Sequence, residues 1–188
     1  MLAEVKTLQR TEKNTITLVI DSDTGTRYIR KELCGPHPIY AQLQALSHLY
    51  LPKIFHVEET RTGVVLIEGF IDGANLAEIT LPEKQVMVLM EELCEALVFL
   101  HDQGILHRDI KPSNLLLAAD GHIRLIDFDA AREEKPSSDS DTRLLGTKGY
   151  APPEQYGFAQ TDTRADIYAV GVTMKQLLGK RAEKRPYR

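Results

Sequence analysis

Thr15-Ile16-Thr17-Leu18-Val19-Ile20 alternates along a β-branched run, turns at Asp21-Ser22-Asp23-Thr24-Gly25, and returns through Arg27-Tyr28-Ile29-Arg30-Lys31. Residues 1 to 33 read as three short strands. Ile54-Phe55-His56-Val57-Glu58 and Gly63-Val64-Val65-Leu66-Ile67-Glu68 read as two more, which completes a five-stranded sheet, and Gly69 to Gly73 reads as a connector. Between the two sets, Leu43, Leu46 and Leu49 fall at i, i+3 and i+6, which predicts a helix over Pro38 to Leu49. Thr80-Leu81-Pro82-Glu83 has the form of a capping box with proline in the first turn. Behind it Val86, Leu89, Met90, Leu93, Cys94, Leu97 and Leu100 recur at threes and fours, predicting a long amphipathic helix to about His101, stopped by Gly104. Leu115-Leu116-Leu117 is a short buried strand. Asp166 opens a last helix, apolar through Val172, Met174, Leu177 and Leu178, with an acid placed to satisfy orphan amides at a helix start.

The 188 residues suffice for one large domain or two small lobes with a real core. Hydrophobic residues at 43% and charged ones at 27% are ordinary for a globular chain, and a net charge of −4 argues against a general nucleic-acid or membrane-surface binder. The basic cluster at Lys180, Arg181, Lys184, Arg185 and Arg188 reads as a solvated tail. Cys34 and Cys94 show no metal-ligand spacing and are expected as free, buried thiols in a reducing cytoplasm. No signal pattern opens the chain and no apolar run approaches the ~18 residues of a membrane span, so a cytoplasmic protein is expected.

The chemistry concentrates in His107-Arg108-Asp109-Ile110-Lys111-Pro112-Ser113-Asn114, on the loop entering the 115–117 strand, and in Asp127-Phe128-Asp129 ten residues beyond that strand. Asn114 and Asp127 offer hard oxygen ligands suited to Mg²⁺, which takes one or two carboxylates plus substrate phosphates. Asp109 can orient a hydroxyl nucleophile, and Lys111 can neutralise charge on a transferring group. A strand lysine such as Lys31 is, on its own, an ordinary edge charge.

Taken in order, the strand lysine, the His-Arg-Asp loop with its Lys and Asn, Asp-Phe-Asp, Gly146-Thr147, Ala151-Pro152-Pro153-Glu154 and Asp166-x-Tyr168-x-x-Gly171 resemble the eukaryotic-like (Hanks-type) serine/threonine protein kinases, in their bacterial form. That resemblance covers residues 14 to 178. It implies an α+β two-lobed fold, with residues 1–70 as the sheet lobe and 71–188 as an incomplete, mainly helical lobe. It implies ATP and Mg²⁺ as cofactors and a protein with a Ser or Thr acceptor as partner. Asp109, Lys111, Asn114 and Thr147 would be catalytic, with Thr147 bridging Asp109 and Lys111, and Asn114 and Asp127 would hold the metal. Lys31 would hold the α- and β-phosphates. The nucleotide would also draw on Ile29, Leu116, Ile67 as gatekeeper, the Glu68 carbonyl and the Phe70 amide. By the same resemblance His107 is a packed structural residue, and Asp166 holds the backbone of the catalytic loop. Arg108 would face the acidic segment Glu133-Glu134 and Ser137 to Thr142, where Ser140 and Thr142 are the first phosphosites to test.

Several positions depart from the family pattern. Gln9 to Asn14 lacks the glycines that let a backbone close over phosphates. The 38–49 segment has no carboxylate to pair with Lys31, and Gln42 is the available substitute, weaker than an ion pair. Asp129 stands in place of a glycine and tolerates left-handed or bridge conformations better than most residues, so the turn can survive. The helices expected after Leu178 do not follow, so the sequence is either a shortened piece or a reduced lobe, and an uncovered apolar face on the 166–178 helix predicts self-association. These departures keep two alternatives open: a weakly active or inactive pseudokinase that binds nucleotide or acts as a scaffold, and a small-molecule phosphotransferase of related fold. The latter would not normally carry the Gly-Thr and Pro-Pro-Glu loop.

Overall fold

The computed structural model describes residues 1–134, 149–150 and 162–179. The chain divides into two compact units, Met1–Ile71 and Asp72–Arg188.

The first unit is an antiparallel sheet of β1 (Leu2–Arg10), β2 (Asn14–Asp21), β3 (Arg27–Cys34), β4 (Ile54–Glu59) and β5 (Gly63–Gly69), in the order β1-β2-β3-β5-β4. The β3–β5 register pairs Lys31 with Leu66 and Ile29 with Glu68. Side chains alternate across a strand, so Leu33, Lys31, Val64, Leu66 and Glu68 share one face, and all five are buried. One helix, α1 (Ile39–Gln44), accompanies the sheet and buries Ile39, Tyr40 and Leu43. It is half the length the leucine spacing predicted. Neither a capping side chain nor an acid in its first turn supports it. Beyond it His48 Nδ1 accepts from the Tyr50 amide at 3.3 Å, a local bond that competes with helix, and Leu49 is exposed.

In the second unit α2 (Glu83–Asp102) buries Val86, Leu89, Met90, Leu93, Ala96, Leu97 and Leu100. Each large apolar side chain there contributes roughly 1.5–3 kcal/mol. The expected capping box does not form: Pro82, not Thr80, occupies the N-cap, and no side chain caps the helix. Cys94 falls off the buried stripe. Both cysteines are free as expected, but both are exposed rather than buried. Gly104 ends the helix at φ +68°.

A small sheet holds β6 (Gly73–Asn75), β8 (Leu115–Ala118) and β9 (Ile123–Leu125) in the order β6-β8-β9. The 69–73 connector therefore runs into a strand that periodicity over three residues did not reveal. Gly73 is required there, since a Cβ would stand 2.5 Å from the Leu117 carbonyl oxygen. A two-residue ladder joins β7 (Ile105–Leu106) to β10 (Arg132–Glu133), so the acidic segment begins in a strand. The last helix, α3 (Thr163–Leu178), is capped by Asp162, whose side chain accepts from the Arg164 amide. Val172, Met174, Leu177 and Leu178 on it are half-buried, while Ile167 and Tyr168 are exposed. No described helix is long and apolar enough to cross a membrane.

Candidate active site

Asp166 fixes the loop on which the site is built. Its two carboxylate oxygens accept from the backbone amides of His107 at 2.9 Å and Arg108 at 2.7 Å, and His101 Nε2 lies 2.9 Å from Oδ2. Arg108 is held at φ 69°, a left-handed conformation that costs an L-residue roughly 1–2 kcal/mol. The two charge-assisted bonds offset that cost. The same network turns His107 inward, fully buried, edge-on to Phe128 with ring centroids 4.8 Å apart. Burial pushes the His107 pKa below its ordinary value, against the opposing pull of Asp166, Asp127 and Asp109. A buried neutral imidazole packed on an aromatic ring is the structural histidine the resemblance implied.

Downstream of this anchor, Asp109 is clamped from two sides. Lys111 Nζ donates to Asp109 Oδ2 at 2.7 Å, and Asn114 Nδ2 donates to the same oxygen at 3.0 Å and to the Asp109 carbonyl at 2.8 Å. A 3-10 turn over Pro112–Asn114 carries the asparagine, with the Asn75 side chain bonded to the Ser113 carbonyl at 2.8 Å. With its amide nitrogen spent on Asp109, Asn114 presents its amide oxygen as the end that can meet a cation. The backbone ties this residue to the second acid, because the Ile126 amide donates to the Asn114 carbonyl at 2.9 Å. Asp127 follows at φ 69°, and its carboxylate takes the Asp129 amide at 3.4 Å. The left-handed residue of the turn is thus Asp127 and not Asp129; the Asp127 carboxylate reaches forward over its own turn, as an Asx residue does. Leu116, on β8, is half-buried beside Asn75 and Arg124 in the sheet register.

In the first unit Lys31 is buried, not an edge charge. Its Nζ lies 3.0 Å from Glu68 Oε1, with side-chain exposures of 6% and 7%. Of the residues expected to meet the nucleotide from β5, Ile67 pairs with Arg30 on the face opposite Lys31, whereas the Glu68 side chain shares the face of Lys31. Ile29 shares the face of Lys31. The Phe70 amide is directed to the Arg27 carbonyl at 3.4 Å, and the Phe70 ring lies under the Arg27 guanidinium at 4.3 Å. The turn between β1 and β2 also commits its donors. Thr11 Oγ1 accepts from the amides of Lys13 and Asn14 at 3.2 and 2.9 Å, so those amides are engaged within the turn.

Thr147, Ser140, Thr142 and Pro152 to Glu154 lie outside the described residues. Among the described residues no cluster of three or more His, Cys, Asp or Glu side chains is arranged to hold a metal. Two polar clusters escaped the sequence reading. The His101 contact to Asp166 is one. The other is Glu92, buried on α2, which takes the His122 ring at 2.7 Å and the Ile123 amide at 2.9 Å and so fastens the helix to the β8–β9 hairpin. A buried glutamate at helical spacing inside an apolar stripe was the available signal.

Comparison with known proteins places the chain in a family. The family profile described as "Protein kinase domain" matches residues 38–186. The chain belongs to the protein kinase family. Among relatives, it is 27% identical over 174 residues to serine/threonine-protein kinase PknB of Mycobacterium leprae, covering 83% of this chain and 28% of that protein. With PknB of Mycobacterium tuberculosis the figures are 27% over 180 residues, 86% and 29%. With serine/threonine-protein kinase pkn2 of Myxococcus xanthus they are 33% over 150 residues, 74% and 18%. The kinase chain described here thus spans less than a third of the length of these curated relatives.

Proposed function

We propose that this kinase-family chain transfers the γ-phosphoryl group of ATP, with Mg²⁺, to a serine or threonine hydroxyl of a protein. One observation carries the reading: a single Asp109 oxygen receives both Lys111 Nζ and Asn114 Nδ2. Those two donors hold the carboxylate in one orientation, so an acceptor hydroxyl bound there meets an oriented acid rather than a mobile one. Lys111 also carries positive charge to where a transferring phosphoryl group gathers negative charge. Asn114, through its amide oxygen, and Asp127 would hold Mg²⁺, and Lys31 the α- and β-phosphates. A metal held there would supply positive charge to offset that of the nucleotide's phosphates. Positioning and electrostatics supply the rate, because phosphoryl transfer asks little covalent chemistry of a protein. Thr147 would bridge Asp109 and Lys111, as in the kinases the sequence resembles.

A second reading, a nucleotide-binding pseudokinase, is favoured by the engaged amides of the Thr11 turn and by an α1 without a carboxylate. A thermal shift with ATP and Mg²⁺ separates a binder from a silent scaffold. Labelled phosphate transfer to a generic basic protein separates an enzyme from a binder; binding without transfer overturns the first reading in favour of the second. The exposed Ile167 and Tyr168 on α3 support self-association as part of the same reading, and light scattering that returns a clean monomer at high concentration contradicts it.

A further inference from the structure

We propose that Glu68 is the positioning residue for Lys31, supplying from the sheet the carboxylate that α1 lacks. The inference rests on the reading of Lys31 as a phosphate-binding residue. Ile39-Tyr40-Ala41-Gln42-Leu43-Gln44 offers no acid, so an ion pair from that helix is chemically unavailable. The β3–β5 register supplies one instead. Lys31 lies opposite Leu66, and Glu68 is two residues further along the same face of the neighbouring strand, a diagonal that long side chains span. The outcome is a 3.0 Å contact between two buried side chains.

Two physical consequences follow. A lysine on a flexible four-carbon stem has many rotamers, and a carboxylate fixed on the adjacent strand selects the one in which Nζ stays on this face. An ammonium carries three donors, so a carboxylate on one side of Nζ does not by itself exclude a phosphate oxygen on another. Because both partners belong to one sheet, their separation is set by the β3–β5 ladder and not by the placement of a separate helix. The lysine is therefore held whatever position α1 adopts.

The test measures Mg-ATP affinity by calorimetry on the full 188-residue chain, in four forms: unmodified, Glu68→Gln, Lys31→Met, and the double variant. Glu68→Gln preserves size and removes the charge. It is expected to weaken ATP by about tenfold or more, the worth of one charge-assisted hydrogen bond. In the Lys31→Met background the same change is expected to cost nothing further, since Glu68 acts only through the lysine. If Glu68→Gln fails to fold, Glu68→Asp keeps the charge, shortens the reach, and is expected to weaken ATP by a smaller factor. Two results overturn the proposal: a Glu68 variant that lowers the melting temperature yet binds ATP as the unmodified chain does, or losses that multiply in the double variant. An unmodified chain that binds no Mg-ATP overturns the functional reading and this inference with it, whereas tight binding indifferent to Glu68 removes this inference alone.

Discussion

Lys31 Nζ and Glu68 Oε1 meet at 3.0 Å with both side chains almost wholly buried, inside a sheet and on its apolar face. Such a pair contributes little net stability as a unit, because two desolvated charges roughly offset their attraction. Removing one partner is different: it strands a buried charge and costs about 3–5 kcal/mol. Lys31→Met and Glu68→Met are each expected to lower stability by that order in urea unfolding, while the Lys31→Met/Glu68→Met double variant recovers most of it. A double variant as unstable as the sum of the singles would show that the two side chains act separately.

Asp166 is the second point where one substitution should propagate. Asp166→Ala leaves the His107 and Arg108 amides without their acceptors and releases Arg108 from a left-handed conformation. With charge-assisted bonds worth roughly 1.5–3 kcal/mol each, the loss is expected to reach about 3 kcal/mol or more. Asp166→Asn, which keeps one acceptor oxygen, should lose less. Equal melting temperatures for Asp166→Ala and the unmodified chain would contradict the anchoring role.

His107 gives the chain a pH-dependent stability of predictable sign. Burial lowers its folded-state pKa below the ordinary 6.5, so below that value the unfolded chain binds a proton that the folded chain resists. The stabilisation is complete above about pH 6.5 and is lost as pH falls from there through the folded-state pKa. The melting temperature should therefore drop between pH 7.5 and 5.5 more steeply in the unmodified chain than in His107→Leu. Parallel pH profiles for the two would contradict a buried neutral imidazole.

Glu92 should matter more than a helix-surface glutamate. Glu92→Ala removes the acceptor for the buried Ile123 amide and the partner of His122, an expected loss of about 1–3 kcal/mol by denaturant unfolding. Glu95→Ala on the exposed side of α2 is expected to fall within about 0.5 kcal/mol of the unmodified chain, and similar costs for the two would remove the clamp.

The sheet and the long helix were legible because their burial follows a local period. Alternation found β2, β3 and β5, and threes and fours found α2. The family's loops were legible from the order of their residues. What periodicity missed was non-local. β6 spans three residues and exists because β8 accepts it. α1 stops early because His48 and the following turn compete with it. The pairing partner of Lys31 is set by strand register, and a one-residue difference moves Ile67 and Glu68 to opposite faces. That single step decides whether an apolar side chain or a carboxylate lies beside the lysine. The left-handed position at Asp127 rather than Asp129 is likewise a tertiary outcome, tied to the Ile126 bond with Asn114.

The central claim is that the clamped Asp109 carboxylate orients an acceptor hydroxyl for phosphoryl transfer. Its most direct test compares the unmodified chain with Asp109→Asn for labelled phosphate transfer from ATP to a generic basic protein, with Mg-ATP affinity measured on the same samples. The account predicts transfer reduced by about 10²–10⁴ in the variant, with ATP affinity nearly unchanged. Equal transfer by both chains, or no transfer by either, would contradict it.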